Sequence, residues 1–181
     1  MEERIIIAGF GGQGVLLLGK LLAHLGLLED KNVSWIPSYG PEMRGGTANC
    51  TVVISDGIIG SPIVPDPDTV IALNRPSLEK FENFVIKDGL LLYNKSLIEI
   101  TPKRTDIKSV AIPASDIANE LGNVKLTNMV MAGAYLEIKK LFNFDRLEEA
   151  LKDVVSARWH KLIPLNLKAI ERGREEAKKL I

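Results

Sequence analysis

Short apolar runs alternate along the chain with longer segments whose apolar residues recur every three or four positions. Because the short runs are typical of buried strands and the longer period is typical of amphipathic helices, the pattern predicts an α/β fold. The predicted strands are Arg4–Ala8, Val33–Ile36, Ala48–Ser55, Thr69–Leu73, Leu90–Tyr93 and Ser109–Ile112. The predicted helices are Gly14–Leu27, Pro76–Val85, Thr127–Leu141, Asp145–Val155 and Leu162–Lys179. This alternation predicts a three-layer α/β/α sandwich of the Rossmann-like type, in a single domain that spans residues 1–181.

Local signals add detail to the sheet and to two helix starts. Ser55-Asp56-Gly57-Ile58 indicates a hairpin, because Asp-Gly favours a turn whose twist matches two paired strands. A hairpin makes part of the sheet antiparallel, so we expect a mixed sheet. Pro76 fits a first helical position, and Asp145 with Glu148 forms a capping-box pattern.

A glycine-rich sequence, Gly9-Phe10-Gly11-Gly12-Gln13-Gly14, follows the first predicted strand directly and opens into the first predicted helix. This pattern points backbone N–H groups and the positive end of a helix at one spot, which suits a phosphate or another anion. The first glycine permits a tight turn, the second lets a ligand approach the backbone, and the third lets helix and strand pack closely. The pattern is equally compatible with a strand-to-helix turn that binds nothing.

Two nucleotide-binding motifs are incomplete in this part of the chain. A NAD or FAD site needs an acidic residue at the end of the second strand, about 20 residues past the glycines, but Pro37-Ser38-Tyr39 follows that strand. Gly14–Lys20 has the spacing of a Walker A loop, but Leu21 stands where a Ser or Thr hydroxyl would bind magnesium. We therefore expect neither a self-contained dinucleotide site nor nucleotide hydrolysis.

A second glycine-rich loop follows the second predicted strand and reads Ser38-Tyr39-Gly40-Pro41-Glu42-Met43-Arg44-Gly45-Gly46. If the first two strands are parallel neighbours, they end at the same edge of the sheet and both loops border one crevice, where open α/β sheets bind ligands. Arg44 among glycines suits a carboxylate or phosphate, because its planar fork makes two charge-assisted bonds. An exposed loop with a surface Glu42–Arg44 ion pair is the simpler alternative.

Four polar side chains elsewhere have structural explanations. Asn74 and Asn94 each close a predicted strand. We expect Asn94 to stabilise a turn, whereas Asn74 either faces a ligand or caps its turn. Thr127 is expected as a helix N-cap, with Asn128 in the first turn of that helix.

At its two glycine loops the sequence resembles the gamma subunit of 2-oxoacid:ferredoxin oxidoreductases, and most of all that of 2-oxoglutarate ferredoxin oxidoreductase. The resemblance continues through nearly the whole chain. Its further blocks are Thr47-Ala48-Asn49-Cys50-Thr51-Val52-Val53-Ile54-Ser55, Ala72-Leu73-Asn74-Arg75-Pro76-Ser77-Leu78, Leu126-Thr127-Asn128-Met129 and Lys161-Leu162-Ile163-Pro164-Leu165-Asn166.

The resemblance implies an enzyme that oxidatively decarboxylates a 2-oxoacid, transfers the acyl group to coenzyme A and reduces ferredoxin. It also implies that thiamine diphosphate and the iron–sulfur clusters belong to partner subunits, and that this chain does no chemistry alone. Coenzyme A is then the expected ligand of the crevice. The candidate binding residues are Gly9, Gly11, Gly12, Gln13, Gly14, Tyr39, Glu42, Arg44, Gly45, Gly46 and Asn74.

Composition agrees with a chain that carries no redox centre. Cys50 is the only cysteine, whereas an iron–sulfur cluster typically needs four, and its place in a strand predicts a buried thiol. The only histidines, His24 and His160, are too far apart in sequence to indicate a zinc site. No leader sequence, possible intrachain disulfide or bilayer-spanning apolar stretch is present, which favours a cytoplasmic location without membrane attachment. Lys plus Arg number 23 and Asp plus Glu number 23, so no net positive charge favours nucleic acid.

Other functions stay open. A pyruvate ferredoxin oxidoreductase gamma subunit or an indolepyruvate oxidoreductase beta subunit is the nearest alternative, and a non-enzymatic Rossmann-like binding protein is the alternative from another class. Trp159-His160-Lys161, between two predicted helices, is either a partner contact or a half-buried cover of the helical layer. An obligate subunit exposes apolar surface when isolated, so we expect the lone chain to form a homodimer.

Overall fold

The computed structural model of the protein describes residues 1–38 and 47–181. Within these ranges, six strands form one sheet: β1 (Glu2–Phe10), β2 (Asn32–Ser38), β3 (Thr47–Ser55), β4 (Thr69–Ala72), β5 (Leu90–Asn94) and β6 (Lys108–Ile112). Their order across the sheet is β2-β3-β1-β4-β5-β6. Strands β1, β4, β5 and β6 are parallel, whereas β3 is antiparallel to both of its neighbours. The predicted mixed sheet is therefore confirmed.

The predicted hairpin at Ser55–Ile58 does not form, so the antiparallel part of the sheet has a different origin from the one predicted. No strand follows β3 directly; β3 pairs instead with β1 and β2. The Ser55 hydroxyl accepts a hydrogen bond from the Gly57 N–H at 3.1 Å, and Asp56 binds the Lys31 ammonium at 2.6 Å. Side chains thus stabilise a local turn at this point, and the chain does not fold back into a new strand.

Strands β1 and β2 are not neighbours, because β3 lies between them. Two antiparallel steps nevertheless leave β1 and β2 running in the same direction. Phe10 pairs with Thr47, and Ser38 pairs with Asn49. The ends of both glycine-rich loops therefore lie at one edge of the sheet, as predicted.

Helices cover the two faces of the sheet unequally. The α-helices of the described residues are α1 (Val15–Leu28), α2 (Arg75–Phe81), α3 (Ala114–Glu120), α4 (Thr127–Lys139), α5 (Leu147–Val154) and α6 (Ile163–Lys178). The larger apolar core joins one face to α1, α3, α4, α5 and α6, and a smaller core joins the other face to α2. This is the predicted three-layer α/β/α arrangement. Within the described ranges, no helix combines the length and the apolar character that crossing a bilayer requires.

Three of the predicted helix starts are wrong in detail. The Asp145–Glu148 capping box does not form; the Asn143 side chain accepts from the Asp145 N–H at 3.0 Å, and a 3₁₀ turn, Phe144–Arg146, precedes α5. Thr127 is the first residue of α4 and not its cap, because its hydroxyl donates to the Val124 carbonyl at 2.7 Å in the preceding turn. Pro76, predicted first, is the second residue of α2.

Candidate functional site

The first glycine-rich loop joins β1 to α1 at the carboxyl edge of the parallel strands. Gly14 has φ 75° and is the residue at which α1 starts, and Gly12 has φ 92°. Residues with a Cβ rarely adopt these left-handed values, so the backbone itself requires glycine at both positions. Within the described ranges, the N–H groups of Gly11, Gly12 and Gly14 have no protein acceptor. They are available to an anion at the helix N-terminus.

Close packing between strand and helix was expected of Gly14, the third glycine of the motif, but it is found mainly at Gly9, the first. A Cβ on Gly9 would lie 2.9 Å from Leu73 Cβ and 2.9 Å from Val15 Cγ2, between β4 and α1. A Cβ on Gly14 would instead overlap the side chain of Asn128 on α4. Among the described residues, no atom lies within 4 Å of a Cβ on Gly12, so the Gly12 backbone is open to a ligand on their side.

The Gln13 side chain bridges the ends of β1 and β4. Its Oε1 accepts from the Phe10 N–H at 2.7 Å and from Asn74 Nδ2 at 3.3 Å, and its Nε2 donates to the Leu73 carbonyl at 3.4 Å. The chain leaves β1 through α1 on one face of the sheet and leaves β4 through α2 on the other. Gln13 therefore lies at the point where the crossover direction changes, which is where open α/β sheets bind ligands.

Asn74 occupies the crevice but uses both of its polar atoms within the protein. Its Oδ1 accepts from the Ser77 N–H at 2.9 Å, which makes Asn74 the N-cap of α2, and its Nδ2 donates to Gln13. The side chain is 1% exposed. Of the two interpretations left open, the turn cap is the one that forms; contact of Asn74 with a ligand stays a prediction.

A buried polar network beside the loop was missed by the sequence analysis. Asn128 Nδ2 donates to the Gly14 carbonyl at 3.1 Å and ties α4 to the glycine loop. Asn94 Nδ2 donates to Ser115 Oγ at 2.9 Å and so ties β5 to α3. Asn128 lies in the first turn of α4, as predicted. The expectation that the Asn94 side chain stabilises its own turn is wrong, because that side chain bonds the distant Leu73 carbonyl and Ser115 instead. The partners of Asn94 and Asn128 are distant in sequence, so no local signal identified them.

Two clefts flank the glycine loop. One, of about 260 Å³, lies between the loop and the starts of α3 and α4; its lining includes Gly12, Gln13, Ser115, Asp116 and Lys125. The other, of about 280 Å³, lies between the loop, the first turn of α1 and β3. The Lys125 ammonium and the unpaired N–H groups give this edge of the sheet the donors that an anionic ligand needs.

The second glycine-rich loop falls on residues 39–46, outside the described ranges. The candidate residues Tyr39, Glu42, Arg44, Gly45 and Gly46 therefore stay predictions. Only the flanking strand ends, Ser38 and Thr47, are described, and they lie at the edge that carries the first loop.

The remaining titratable groups considered for chemistry are occupied or inaccessible. Cys50 is fully buried, as predicted, and burial raises the pKa of its thiol to about 12. His24 contacts Asp153 at 2.8 Å, and His160 contacts the Val155 carbonyl at 2.9 Å. Among residues 1–38 and 47–181, no three His, Cys, Asp or Glu side chains come close enough together to hold a metal ion.

Known proteins match this chain over nearly its whole length. A family model described as pyruvate ferredoxin/flavodoxin oxidoreductase matches residues 4–176. The ketoisovalerate oxidoreductase subunit VorA of Methanothermobacter marburgensis is 39% identical over 181 residues, which are 98% of this chain and 37% of VorA. The 2-oxoglutarate synthase subunit KorC of Methanocaldococcus jannaschii is 34% identical over 185 residues, covering 99% of this chain and 96% of KorC. The chain thus spans little more than a third of VorA but nearly all of KorC.

Solved structures share the fold. The gamma subunit of keto/oxoacid ferredoxin oxidoreductase from Geobacter sulfurreducens PCA has a TM-score of 0.83 and 27% identity, covering 98% of this chain and 99% of that one. The 2-oxoglutarate:ferredoxin oxidoreductase from Magnetococcus marinus, with 2-oxoglutarate, coenzyme A and succinyl-CoA bound, has a TM-score of 0.89 and 24% identity over 99% of this chain and 32% of that one. The second likeness concerns the fold alone.

Proposed function

The chain belongs to the pyruvate ferredoxin/flavodoxin oxidoreductase family, and from this premise we propose that it is the gamma subunit of a multi-subunit 2-oxoacid:ferredoxin oxidoreductase. The observation that carries the proposal is the match with KorC, which is nearly complete in both directions. The proposed substrate is 2-oxoglutarate or a related 2-oxoacid. The proposed reaction releases carbon dioxide, forms acyl-coenzyme A and delivers the electrons to ferredoxin.

One observation favours a second substrate. VorA has the higher identity, 39%, and is named for ketoisovalerate, although this chain covers only 37% of it. A branched-chain 2-oxoacid is therefore the alternative substrate of the same reaction. The extent of the domain over residues 1–181 and a cytoplasmic location are part of the proposal.

Thiamine diphosphate and iron–sulfur clusters are assigned to partner subunits in this proposal. Clusters need several thiolates, and this chain has one cysteine, whose thiol is buried. The partners are a thiamine-binding subunit and a ferredoxin-like subunit, with ferredoxin as electron acceptor. The isolated chain is proposed to form a homodimer.

We propose that coenzyme A binds at the glycine-loop edge of the sheet. The support is the set of N–H groups at Gly11, Gly12 and Gly14, which lie at the start of α1, and the Lys125 ammonium in the adjoining cleft. Coenzyme A is the substrate of this reaction that carries several phosphates, and helix N-termini bind phosphates. Arg44 is proposed to add a second cation from the neighbouring loop.

Reconstitution tests the function. The purified chain is expected to be colourless and inactive, because it lacks cluster ligands and a recognisable thiamine-binding motif. Expressed with its partner subunits, it is expected to support coenzyme A-dependent reduction of ferredoxin or a viologen dye by a 2-oxoacid. Rates with 2-oxoglutarate and with 2-oxoisovalerate then decide between the two substrates. Turnover by the isolated chain, or an active complex formed without it, would contradict the proposal.

Arg44→Ala tests the coenzyme A site. Losing one charge-assisted contact typically costs about 1.5–3 kcal/mol, so the Michaelis constant for coenzyme A is expected to rise roughly 10- to 150-fold. The Michaelis constant for the 2-oxoacid is expected to change little. Arg172→Ala is the matched control, because it removes a surface ion pair between Arg172 on α6 and Glu120 on α3. If Arg44→Ala leaves the coenzyme A dependence unchanged and instead prevents assembly, the loop is a subunit contact and the ligand site is wrong.

A further inference from the structure

A groove beside the glycine-loop cleft, with which it shares Lys125, lies between α1, the 3₁₀ turn Val124–Leu126 and the 3₁₀ helix Ala157–Leu162, and we call it the Trp159 groove. Its volume is about 350 Å³. Its lining is mostly apolar, with two amides and one ammonium at the side. The lining residues are Leu17, Asn123, Lys125, Leu126, Val155, Trp159, Leu162 and Asn166.

Large apolar side chains at this groove remain in contact with water. Trp159 is 47% exposed, and Val124, next to the groove residue Lys125, is 53% exposed. Leaving apolar area in water forgoes about 25 cal/mol per Å² relative to burying it. Tryptophan is the residue most enriched at the energetic centres of protein interfaces, where it fills an apolar pocket on a partner. The exposure of Trp159 therefore suits a surface that is covered in an assembly.

Among the lining residues, the one charged side chain is the cation Lys125. Residues 154–170 contain Arg158, Lys161 and Lys168 but no Asp or Glu, in a chain whose formal net charge is zero. Lys125, Arg158 and Lys161 are exposed. In the part of the chain that the structure describes, none of these three forms an ion pair, whereas Arg172 and Arg174 on α6 do. An apolar surface bordered by unpaired cations is complementary to an apolar segment that carries carboxylates.

One face of the Trp159 ring is already covered within the chain. The Arg158 guanidinium carbon lies 5.5 Å from the ring centroid, in a cation–π contact. A flat aromatic ligand would have to share that ring with Arg158. The mostly apolar lining suits aliphatic or aromatic side chains from a polypeptide better than a polar nucleotide.

We infer that the Trp159 groove is the docking site for an acidic, apolar segment of a partner subunit: an aliphatic or aromatic anchor flanked by Asp or Glu. This inference rests on the proposed function, because it requires partner subunits. VorA provides a supporting observation. The region of VorA that matches this chain is only 37% of the VorA polypeptide. The rest of such a longer polypeptide is joined covalently to the region that matches this chain. We expect its counterpart here to be a separate subunit that binds this chain.

Binding of the chain to the purified remaining subunits of the complex tests the inference. Trp159→Ala is expected to weaken that binding about 30-fold or more, the effect typical of a central interface tryptophan. Phe84→Ala is the matched control, because Phe84 is also 47% exposed but belongs to the opposite face of the sheet, beside α2; its effect is expected to stay below about 3-fold.

Charge reversal gives a second measurement that does not depend on the apolar core of the contact. Lys161→Glu is expected to slow association and to reduce its salt dependence, because like charges would then face each other. Lys87→Glu, an exposed lysine beside β5, is the control. Circular dichroism verifies that each variant is folded.

Fluorescence separates a protein partner from a nucleotide. The chain has two tryptophans, so Trp35→Phe leaves Trp159 as the only reporter. The partner subunits are expected to shift its emission to shorter wavelength, and coenzyme A alone is expected to have no effect. A response to coenzyme A with none to the subunits would overturn the inference and assign a nucleotide site.

The two proposals fail in different ways. If the unmodified chain neither binds the subunits nor supports activity, the proposed function is wrong, and the inference falls with it. If the complex assembles and is active but Trp159→Ala and Lys161→Glu bind like the unmodified chain, only the docking site is wrong.

Discussion

Replacing Gly133 by Ala is expected to lower the free energy of unfolding by about 3 kcal/mol or more, because no atom at this position can move aside easily. Gly133 on α4 faces the backbone of α6 at Ile170, and Gly173 on α6 faces the backbone of α4 at Val130. A Cβ at either glycine would overlap a carbonyl oxygen of the opposite helix. The helices must then separate, and the whole interface between them loses its packing.

Urea unfolding followed by circular dichroism measures this change. For a chain of this length, about 3 kcal/mol corresponds to a fall in melting temperature of roughly 6–12 °C. Gly60→Ala is the control, because a Cβ on Gly60 meets no atom within 4 Å in residues 1–38 and 47–181 and its φ does not require glycine. Gly173→Ala is expected to behave like Gly133→Ala. Equal stability of Gly133→Ala and Gly60→Ala would show that α4 and α6 can separate without cost.

The order of strands and helices was predictable because its signals are local. The apolar run 4–8 followed by glycines marks the end of β1 and the start of α1 within a few residues. Helix α3 (Ala114–Glu120) was missed. It has only seven residues, and its buried apolar side chains are Ala114, Ile117 and Ala118, too few to produce a recognisable period. The antiparallel strand was predicted, but from a turn signal at Asp56-Gly57 that proved to be a side-chain-stabilised turn.

The organisation of the candidate site was less predictable, because its contacts join distant residues. The Asn128–Gly14 hydrogen bond connects positions 114 residues apart, and the Asn74–Gln13 bond connects positions 61 apart. Spacing rules concern neighbours on one element and cannot report such pairs. The position of β3 between β1 and β2 also depends on tertiary packing. A strand with two buried faces is compatible with several positions in a sheet, so its own sequence does not determine its neighbours.

The same contacts distinguish the roles of three glycines of the first loop, Gly9, Gly12 and Gly14. Sequence reasoning gave close packing to the third glycine of the motif, by analogy with dinucleotide-binding folds. The structure gives packing between strand and helix to Gly9, backbone openness to Gly12, and packing against α4 to Gly14. Because these roles differ, substitutions at Gly12 and Gly14 should have different consequences.

Gly14→Ala is expected to destabilise the protein by about 2–3 kcal/mol, the sum of a left-handed backbone cost of about 1–2 kcal/mol and the loss of a hydrogen bond of about 1 kcal/mol. The hydrogen bond is the one from Asn128 to the Gly14 carbonyl, and Asn128, only 2% exposed, has little room to move from the added methyl group. Gly12→Ala is the control that isolates the backbone term. Its φ is also positive, at 92°, but a Cβ there meets no atom of the described residues within 4 Å, so a loss of only about 1–2 kcal/mol is expected.

Denaturant unfolding measures the difference in unfolding free energy between Gly14→Ala and Gly12→Ala, and this difference reports the Asn128 contact alone.

In the reconstituted complex, Gly14→Ala is expected to raise the Michaelis constant for coenzyme A as well, because the helix start that presents the loop N–H groups is displaced. Gly12→Ala tests the open position directly: a methyl group there stands where the ligand is proposed to approach the backbone. If Gly12→Ala and Gly14→Ala lose stability equally, Asn128 does not hold the loop. If neither variant changes the coenzyme A dependence, the ligand does not approach this loop.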